Sequence, residues 1–228
     1  ATASTSTVDA LVASETVKNA IRSMPVWLQF LLAVLAADLA QALLHRAYHN
    51  MPWLWRFHAV HHSTRRMDWL AGSRMHLLEI LLTRSIVLLP LVVLGFAPAA
   101  INAYVILVGL QAVLAHANLR LDFGWLEYVL VTPRYHHWHH ARQAEYVDAN
   151  YAIHLPLVDM LMGTLRLPRD GSWPAEYGVL DPAAFAQDVG CGRVAHRVAE
   201  HQAVIRLGRG YGDTGANHVA QHARRDAA

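Results

Sequence analysis

Cysteine is nearly missing from these 228 residues: Cys191 stands alone. That excludes an intramolecular disulfide and any zinc or iron–sulfur site built on thiolates. Charge is scarce as well. Charged residues make up 16% of the chain against 54% apolar ones, a balance that leans away from an ordinary soluble domain and towards a membrane. The formal net charge is only +2 and the arginines are dispersed rather than gathered in a run, so a nucleic-acid partner is not expected. The catalytic signatures that are missing narrow the field further. There is no His-Glu-x-x-His of a zinc peptidase and no Gly-rich dinucleotide fingerprint following a strand, and the Glu-x-x-His of soluble di-iron bundles does not occur among the histidines. The first residues lack the basic start, apolar run and small-residue cleavage site of a signal peptide, so none is expected.

What the chain does have is long apolar runs and sixteen histidines. Val8, Leu11, Val12, Val17 and Ile21 are spaced as on an amphipathic helix lying on a surface. An almost unbroken apolar run follows from Pro25 to about Leu44, a second from Leu77 to Leu94 and a third from Ala99 to Ala115. Twenty helical residues rise about 30 Å, the thickness of a bilayer core. The second and third runs give arms of about 25–27 Å, enough for a thin bilayer, and Gly95 to Pro98 between them reads as a tight turn. The apolar stretch Tyr151 to Leu167 predicts a helix along the membrane surface. Beyond Gln187 the composition shifts to Arg, His, Gly and Ala, which predicts a poorly ordered tail. The expected organisation is an interfacial segment over 1–24, a membrane domain over 25–185 and a tail over 186–228. The expected fold class is all-α, an integral membrane helical bundle with, as the histidines and arginines considered next imply, a cytosolic histidine-rich di-metal site.

The histidines fall where the apolar runs end. His45 and His49 stand four apart at the end of the first run; His58, His61 and His62 form a His-x-x-His-His just before the second; His116 closes the third; and His136, His139 and His140 repeat His-x-x-His-His beyond it. Residues four apart share a helix face, their β-carbons about 5–6 Å apart, so each motif puts its first and last rings on one side with the middle ring close by. One run approaches a cluster, the next leaves from one and the third returns to one, so every cluster reaches the same membrane face. Nine clustered histidines are too many for one zinc, which takes four ligands or fewer from protein. Two metals fit better, although imidazole alone does not choose between iron, zinc, copper and nickel.

Taken together, His45-Arg-Ala-Tyr-His49, Phe57-His58-Ala-Val-His61-His62, His116-Ala-Asn118 and Thr132-Pro-Arg-Tyr-His136-His-Trp-His139-His140 resemble the fatty acid hydroxylase and sterol desaturase superfamily. Asn150-Tyr151, Asp159 and Gly163-Thr164 resemble its closing signature, and the likeness runs from about Pro25 to Leu180. The resemblance implies a membrane di-metal oxygenase with two non-haem iron ions as cofactor and O2 as co-substrate. It carries over as ligands His45, His49, His58, His61, His62, His116, His136, His139 and His140. It further implies oxygen-dependent hydroxylation or desaturation of a lipid, either a fatty acyl chain or a sterol. The alternatives are a carotenoid ring hydroxylase or ketolase, and a non-catalytic membrane metal- or haem-binding protein. Some members carry a further histidine four residues after the one matching His116, where this chain has Arg120.

Supporting roles are expected for Asp38, Asn118, Asn150 and Asp159. Asp38 shares a helix face with His45 and His49 to within about 40°, and an acid in an apolar span should face the bundle interior. Asn150 and Asp159 either hold ligand rings or cap helix ends. His76 and Glu79 share a face near the metal side, while His137 and His154 read as structural. Arg84 is expected to reach the interface or pair with a carboxylate, and Trp27, Trp53, Trp55, Trp69, Trp125 and Trp138 to anchor the interface. Arg46, Arg56, Arg65, Arg66, Arg74, Arg120, Arg134 and Arg142 all lie in the histidine-bearing segments, which by the positive-inside bias puts the metal face in the cytoplasm. Without a redox motif of its own, the chain is expected to draw electrons from an external donor, a ferredoxin or b-type cytochrome with its reductase.

Overall fold

The computed structural model describes residues 15–179; the first fourteen residues and the predicted tail lie outside that range. Among the described residues there is no strand, only one isolated bridge between Ala141 and Tyr177, and the rest is helices and loops. In chain order the helices are α1 (Glu15–Arg22), α2 (Val26–Asn50), α3 (Pro52–His62), α4 (Leu77–Val93), α5 (Pro98–His116), α6 (Pro133–His139) and α7 (Leu157–Met162). The first apolar run extends past its sequence limit, because α2 carries on through His45 and His49 to Asn50. It stops at Met51, held extended by Pro52, since proline disfavours helical backbone in the residue before it. Pro52 then occupies the first turn of α3, where its missing N–H costs nothing. This one-residue break turns the chain, and the turn is what lets α3 carry its histidines back onto those of α2.

Helices α2 and α5 are long and apolar enough to cross a membrane. Their surface is organised for lipid rather than water. On α2 the buried face includes Gln29, Ala33, Asp38, His45 and His49, whereas Leu31, Leu35, Leu39 and Leu43, four apart, are exposed. Helix α4, with 17 residues, likewise exposes Leu81, Leu89 and Val92 while burying Glu79. Polar inside and apolar outside is the pattern a hydrocarbon solvent selects. Gly95, with φ of +82°, makes the turn between α4 and α5, and Gln29 secures it by accepting the Ala97 amide at 2.7 Å. There Val87 and Leu91 of α4 pack against Tyr104 and Val108 of α5 and Ala33 and Ala37 of α2. Ile21 of α1 joins the same cluster, so α1 sits at the end of the bundle opposite the histidines.

Two expectations need correction. The helix predicted over Tyr151 to Leu167 is only the six residues of α7. Before it the backbone is irregular because buried carboxylates take its amides. Asp38 accepts from Ile153, His154 and Leu155 at 2.8–3.1 Å, and Asp159 accepts from Tyr151 and Ala152 at 2.9 and 2.6 Å. Five consecutive N–H groups thus have side-chain partners and no need of a helix. The tryptophans also divide. Trp27, Trp53, Trp69 and Trp125 are exposed, as interfacial anchors are, but Trp138 is buried and donates to the Ser172 carbonyl, and Trp55 packs on the rings of His49 and His62.

Asp38 therefore ties the membrane helix to the loop over 151–155 instead of touching a histidine ring. Asp38→Ala would strand three amides, one buried and two partly buried, and lower the unfolding free energy by on the order of 3 kcal/mol. In detergent the thermal midpoint of this variant should fall clearly below wild type, whereas Asp170→Asn at an exposed turn should leave it unchanged. Equal midpoints for Asp38→Ala and wild type would contradict the assigned role.

Candidate metal centre

All nine histidines are buried, and their Nε2 atoms converge in two groups. One holds His45, His49, His58, His62 and His139; the other holds His61, His116, His136 and His140. In the first group, Nε2–Nε2 separations are 3.0 Å for His45–His58 and His62–His139, and 3.1 Å for His49–His62 and His58–His62. In the second they are 3.2 Å for His61–His116, 3.0 Å for His116–His136 and 3.1 Å for His136–His140. Each His-x-x-His-His contributes to both groups. His58 and His62 go to the first and His61 to the second, while His136 and His140 go to the second and His139 to the first. The rings of His62 and His140 stack at 4.3 Å where the groups meet.

The other ring nitrogens decide what these contacts mean. Nδ1 of His45, His139, His116 and His61 faces the carbonyls of Tyr151, Ala149, Ala112 and Arg74 at 2.9, 2.7, 2.7 and 3.3 Å. Nδ1 of His58 faces Glu79 Oε1 at 2.6 Å and that of His49 faces Asp148 Oδ1 at 3.2 Å. An acceptor opposite Nδ1 requires the proton there, leaving Nε2 with a bare lone pair. Lone pairs aimed at one another at 3 Å repel unless a cation lies among them. Ligands at right angles around an ion with metal–nitrogen bonds of about 2.1 Å are about 3.0 Å apart, so the donor set fits two ions, one for each group.

Most of the first group's orientation comes from one segment. Asp148, Ala149 and Tyr151 each hold a ring, and Asp148 and Asn150 both have positive φ, +57° and +59°, a conformation that Asp and Asn tolerate better than most residues. Asn150 clamps it: its side chain accepts from the Arg166 amide at 2.7 Å and donates to the Arg166 carbonyl at 2.8 Å. Asp159 anchors the next stretch and also receives the hydroxyls of Tyr135 and of Thr164. Asn150 and Asp159 thus act through the backbone, and neither is a helix cap. Asn118 is exposed and borders a polar surface pocket with Arg65, Arg66 and Arg142. His137 is turned away, its ring facing Tyr177 Oη at 2.9 Å and the Ala117 carbonyl at 3.2 Å. His76 caps α4 by accepting from the Leu78 amide. Sequence reasoning left Glu79 undecided and missed Asp148; an acid in an apolar run pointed to the first, and nothing local pointed to the second.

A cavity of about 340 Å³ adjoins both groups, touching His45 and His58 of one and His61 and His136 of the other. Leu44, Ile80, Val108, Ala112 and Ala115 supply apolar wall between α2, α4 and α5. The chamber thus lies against the rings, with its wall drawn from three helices of the bundle.

Comparison with known proteins agrees with this geometry. The model of the family described as fatty acid hydroxylase matches residues 30–164, which takes in all nine histidines. Ornithine lipid hydroxylase OlsE of Rhizobium tropici is 34% identical over 148 residues, 63% of this chain and 44% of that protein. Alkylglycerol monooxygenases of Danio rerio and Homo sapiens are each 30% identical over 151 and 155 residues, 66% of this chain and 33% of each relative. The match thus spans under half the length of these relatives. No solved structure matches.

Burial, with neighbouring imidazoles adding to it, holds His58, His61, His62, His136, His139 and His140 well below the ordinary imidazole value of 6.5. They are neutral near pH 7, as ligands must be. A depressed folded-state value makes the contribution to stability complete above about pH 6.5 and lost as pH falls from there towards the folded-state values, because the unfolded chain binds protons first. The thermal midpoint of chelator-treated protein should be flat above pH 7 and drop steeply below about pH 6.5. A midpoint constant down to pH 5 would show that these rings are not buried and neutral.

Proposed function

The chain belongs to the fatty acid hydroxylase family, and from that membership we propose that it oxidises a membrane lipid with dioxygen, by hydroxylation or desaturation, at two iron ions held by the nine histidines. The observation that carries this reading is the convergence of nine buried Nε2 atoms in a five-membered and a four-membered group at one end of membrane-length helices. Family membership favours iron over other imidazole-binding metals. Separations of 3.0–3.2 Å between ring nitrogens accommodate an ion and leave no room for a porphyrin, which weighs against the haem alternative.

Bound ferrous ions would supply reductive activation of dioxygen and removal of hydrogen from an unactivated C–H bond. The chain's own residues do the rest. Glu79, Asp148 and the carbonyls of Ala149 and Tyr151 fix ring tautomers and orientation. Leu44, Ile80 and Val108 line the adjoining cavity, keep water out and align the hydrocarbon beside the rings. Activation of dioxygen consumes two electrons per turnover, and the proposed source is an external carrier, a ferredoxin or b-type cytochrome with its reductase. The surface pocket lined by Arg65, Arg66, Arg120 and Arg142 also carries Asp68 and Glu176, the latter paired with Arg142, and its remaining positive surplus is electrostatically suited to an acidic carrier.

In membranes containing the protein, a reductase and a carrier, a lipid should gain one hydroxyl or one double bond, with the hydroxyl oxygen drawn from labelled dioxygen. Label arriving from water, or turnover without reductant, would falsify the oxygenase reading. The excess of arginine near the histidines also supports a cytoplasmic metal face. A reporter inserted after Ala97 should then be external, and cytoplasmic labelling there would reverse the orientation.

A further inference from the structure

The cavity beside the histidines is not uniformly apolar. One to two helical turns from the ring level, it carries Gln41 of α2, Thr83 and Arg84 of α4 and Gln111 of α5. Three of these already have partners. Gln41 accepts from Tyr104 at 3.2 Å, Thr83 pairs with the Tyr48 hydroxyl at 2.9 Å, and Gln111 donates to the Val131 carbonyl at 2.7 Å. Arg84 is different. It makes no hydrogen bond or ion pair among the described residues, and it stands seven residues beyond Leu77 and nine before Val93, the one basic residue of a largely apolar helix. Ile80, Val87 and Leu91, at spacings of four, three and seven residues from it, run along the inward side of α4; Val87 and Leu91 are buried in the core and Ile80 faces the same cavity. The exposure of Arg84 therefore includes exposure to the chamber.

A guanidinium inside a membrane span is costly unless something pairs with it, and its fork of N–H donors matches a carboxylate bidentately. Glu79 on the same wall is already committed to His58, so it does not serve Arg84, which stands five residues and about 7.5 Å of helix rise further on. Among the described residues Arg84 is the only arginine or lysine on the cavity wall, which matches a monoanion better than a dianionic phosphate.

We propose that the cavity selects an acyl lipid bearing a carboxylate, which pairs with Arg84 while the carbon to be oxidised lies against the histidines. This rests on the lipid-oxidation reading and deepens it. Oxidation falls within about one to two helical turns of the anion, on the order of 7–10 Å, and a neutral sterol, having no group for Arg84, is a poor ligand. A site built around a charged partner discriminates strongly against an analogue that lacks it, because its own charge is left unpaired.

The test is equilibrium binding of radiolabelled palmitate, hexadecanol and cholesterol to the full chain in neutral detergent, at an alkaline pH where the acid is ionised. Wild type should bind palmitate at least about tenfold more tightly than hexadecanol or cholesterol. Arg84→Gln should abolish that preference, and Arg84→Lys, which keeps the charge but not the fork, should retain part of it. Equal binding of acid and alcohol by wild type, or an undiminished preference in Arg84→Gln, would overturn the proposal. If Arg84→Gln does not fold, the wild-type comparison and Arg84→Lys still decide, since an undiminished preference in the lysine variant is also contrary. Binding needs no turnover, so the two readings fail separately. A palmitate preference with no oxidised product would sink only the oxidation reading, and a product without the preference would sink only this one.

Discussion

Nine imidazole lone pairs pointed at two small volumes cannot be held there by attraction to one another. Rings must be held from behind, and the rest of the described structure supplies such holds for six of the nine. Backbone carbonyls receive Nδ1 of His45, His61, His116 and His139, and carboxylates receive that of His58 and His49. The carbonyls of Arg74, Ala149 and Tyr151 are available because they lie outside the α-helices, and that of Ala112, one turn before the end of α5, has a second lone pair to offer beyond the helix ladder. Irregular backbone in turn persists because Asp38, Asn150 and Asp159 satisfy its amides. A chain of dependence thus runs from three buried polar residues, through the loop over 148–155, to the orientation of the rings.

The division into five and four follows from how helical spacing meets chain direction. Both His-x-x-His-His motifs send the pair four apart to one group and the middle ring to the other, so these six residues contribute three rings to each. Helix α2 then adds the pair His45 and His49 to the first group, while α5 adds His116 alone to the second. The position four beyond His116 is Arg120, past the end of α5 at His116, and its guanidinium lies 5.8 Å from the centre of the Trp173 ring. The second group is left with one donor fewer and with the cavity at its side, as His61, His116 and His136 all line that wall.

Much of this was legible in the sequence because it is local. Apolar runs mark α2, α4 and α5, Gly95 and Pro98 mark the turn between the last two, and four-residue spacing marks which histidines share a face. What was not legible depends on residues far apart along the chain. Asp38 reaches amides 115 to 117 positions away, so the apolar pattern of 151–167 read as a helix when its amides were already committed elsewhere. Asp148 holds His49 from 99 positions away and carries no local mark of that role. Glu79 and Arg84 are visible as charges in an apolar run, yet only the packing of α4 against α2 and α5 shows that one backs a histidine and the other borders the chamber. Trp55 and Trp138 fail as interfacial anchors for the same reason, since composition cannot tell a tryptophan facing lipid from one packed on a ring.

The central claim is that nine imidazoles hold two iron ions in groups of five and four. Iron K-edge X-ray absorption on the iron-loaded full chain tests it most directly, with the metal content of the same sample measured in parallel. The account predicts about two irons per chain, each surrounded by nitrogen and oxygen only, with imidazole outer-shell scattering equivalent to between four and five rings per iron, following the division of the nine donors. One metal per chain, or an average of two or fewer imidazoles per iron, would contradict it.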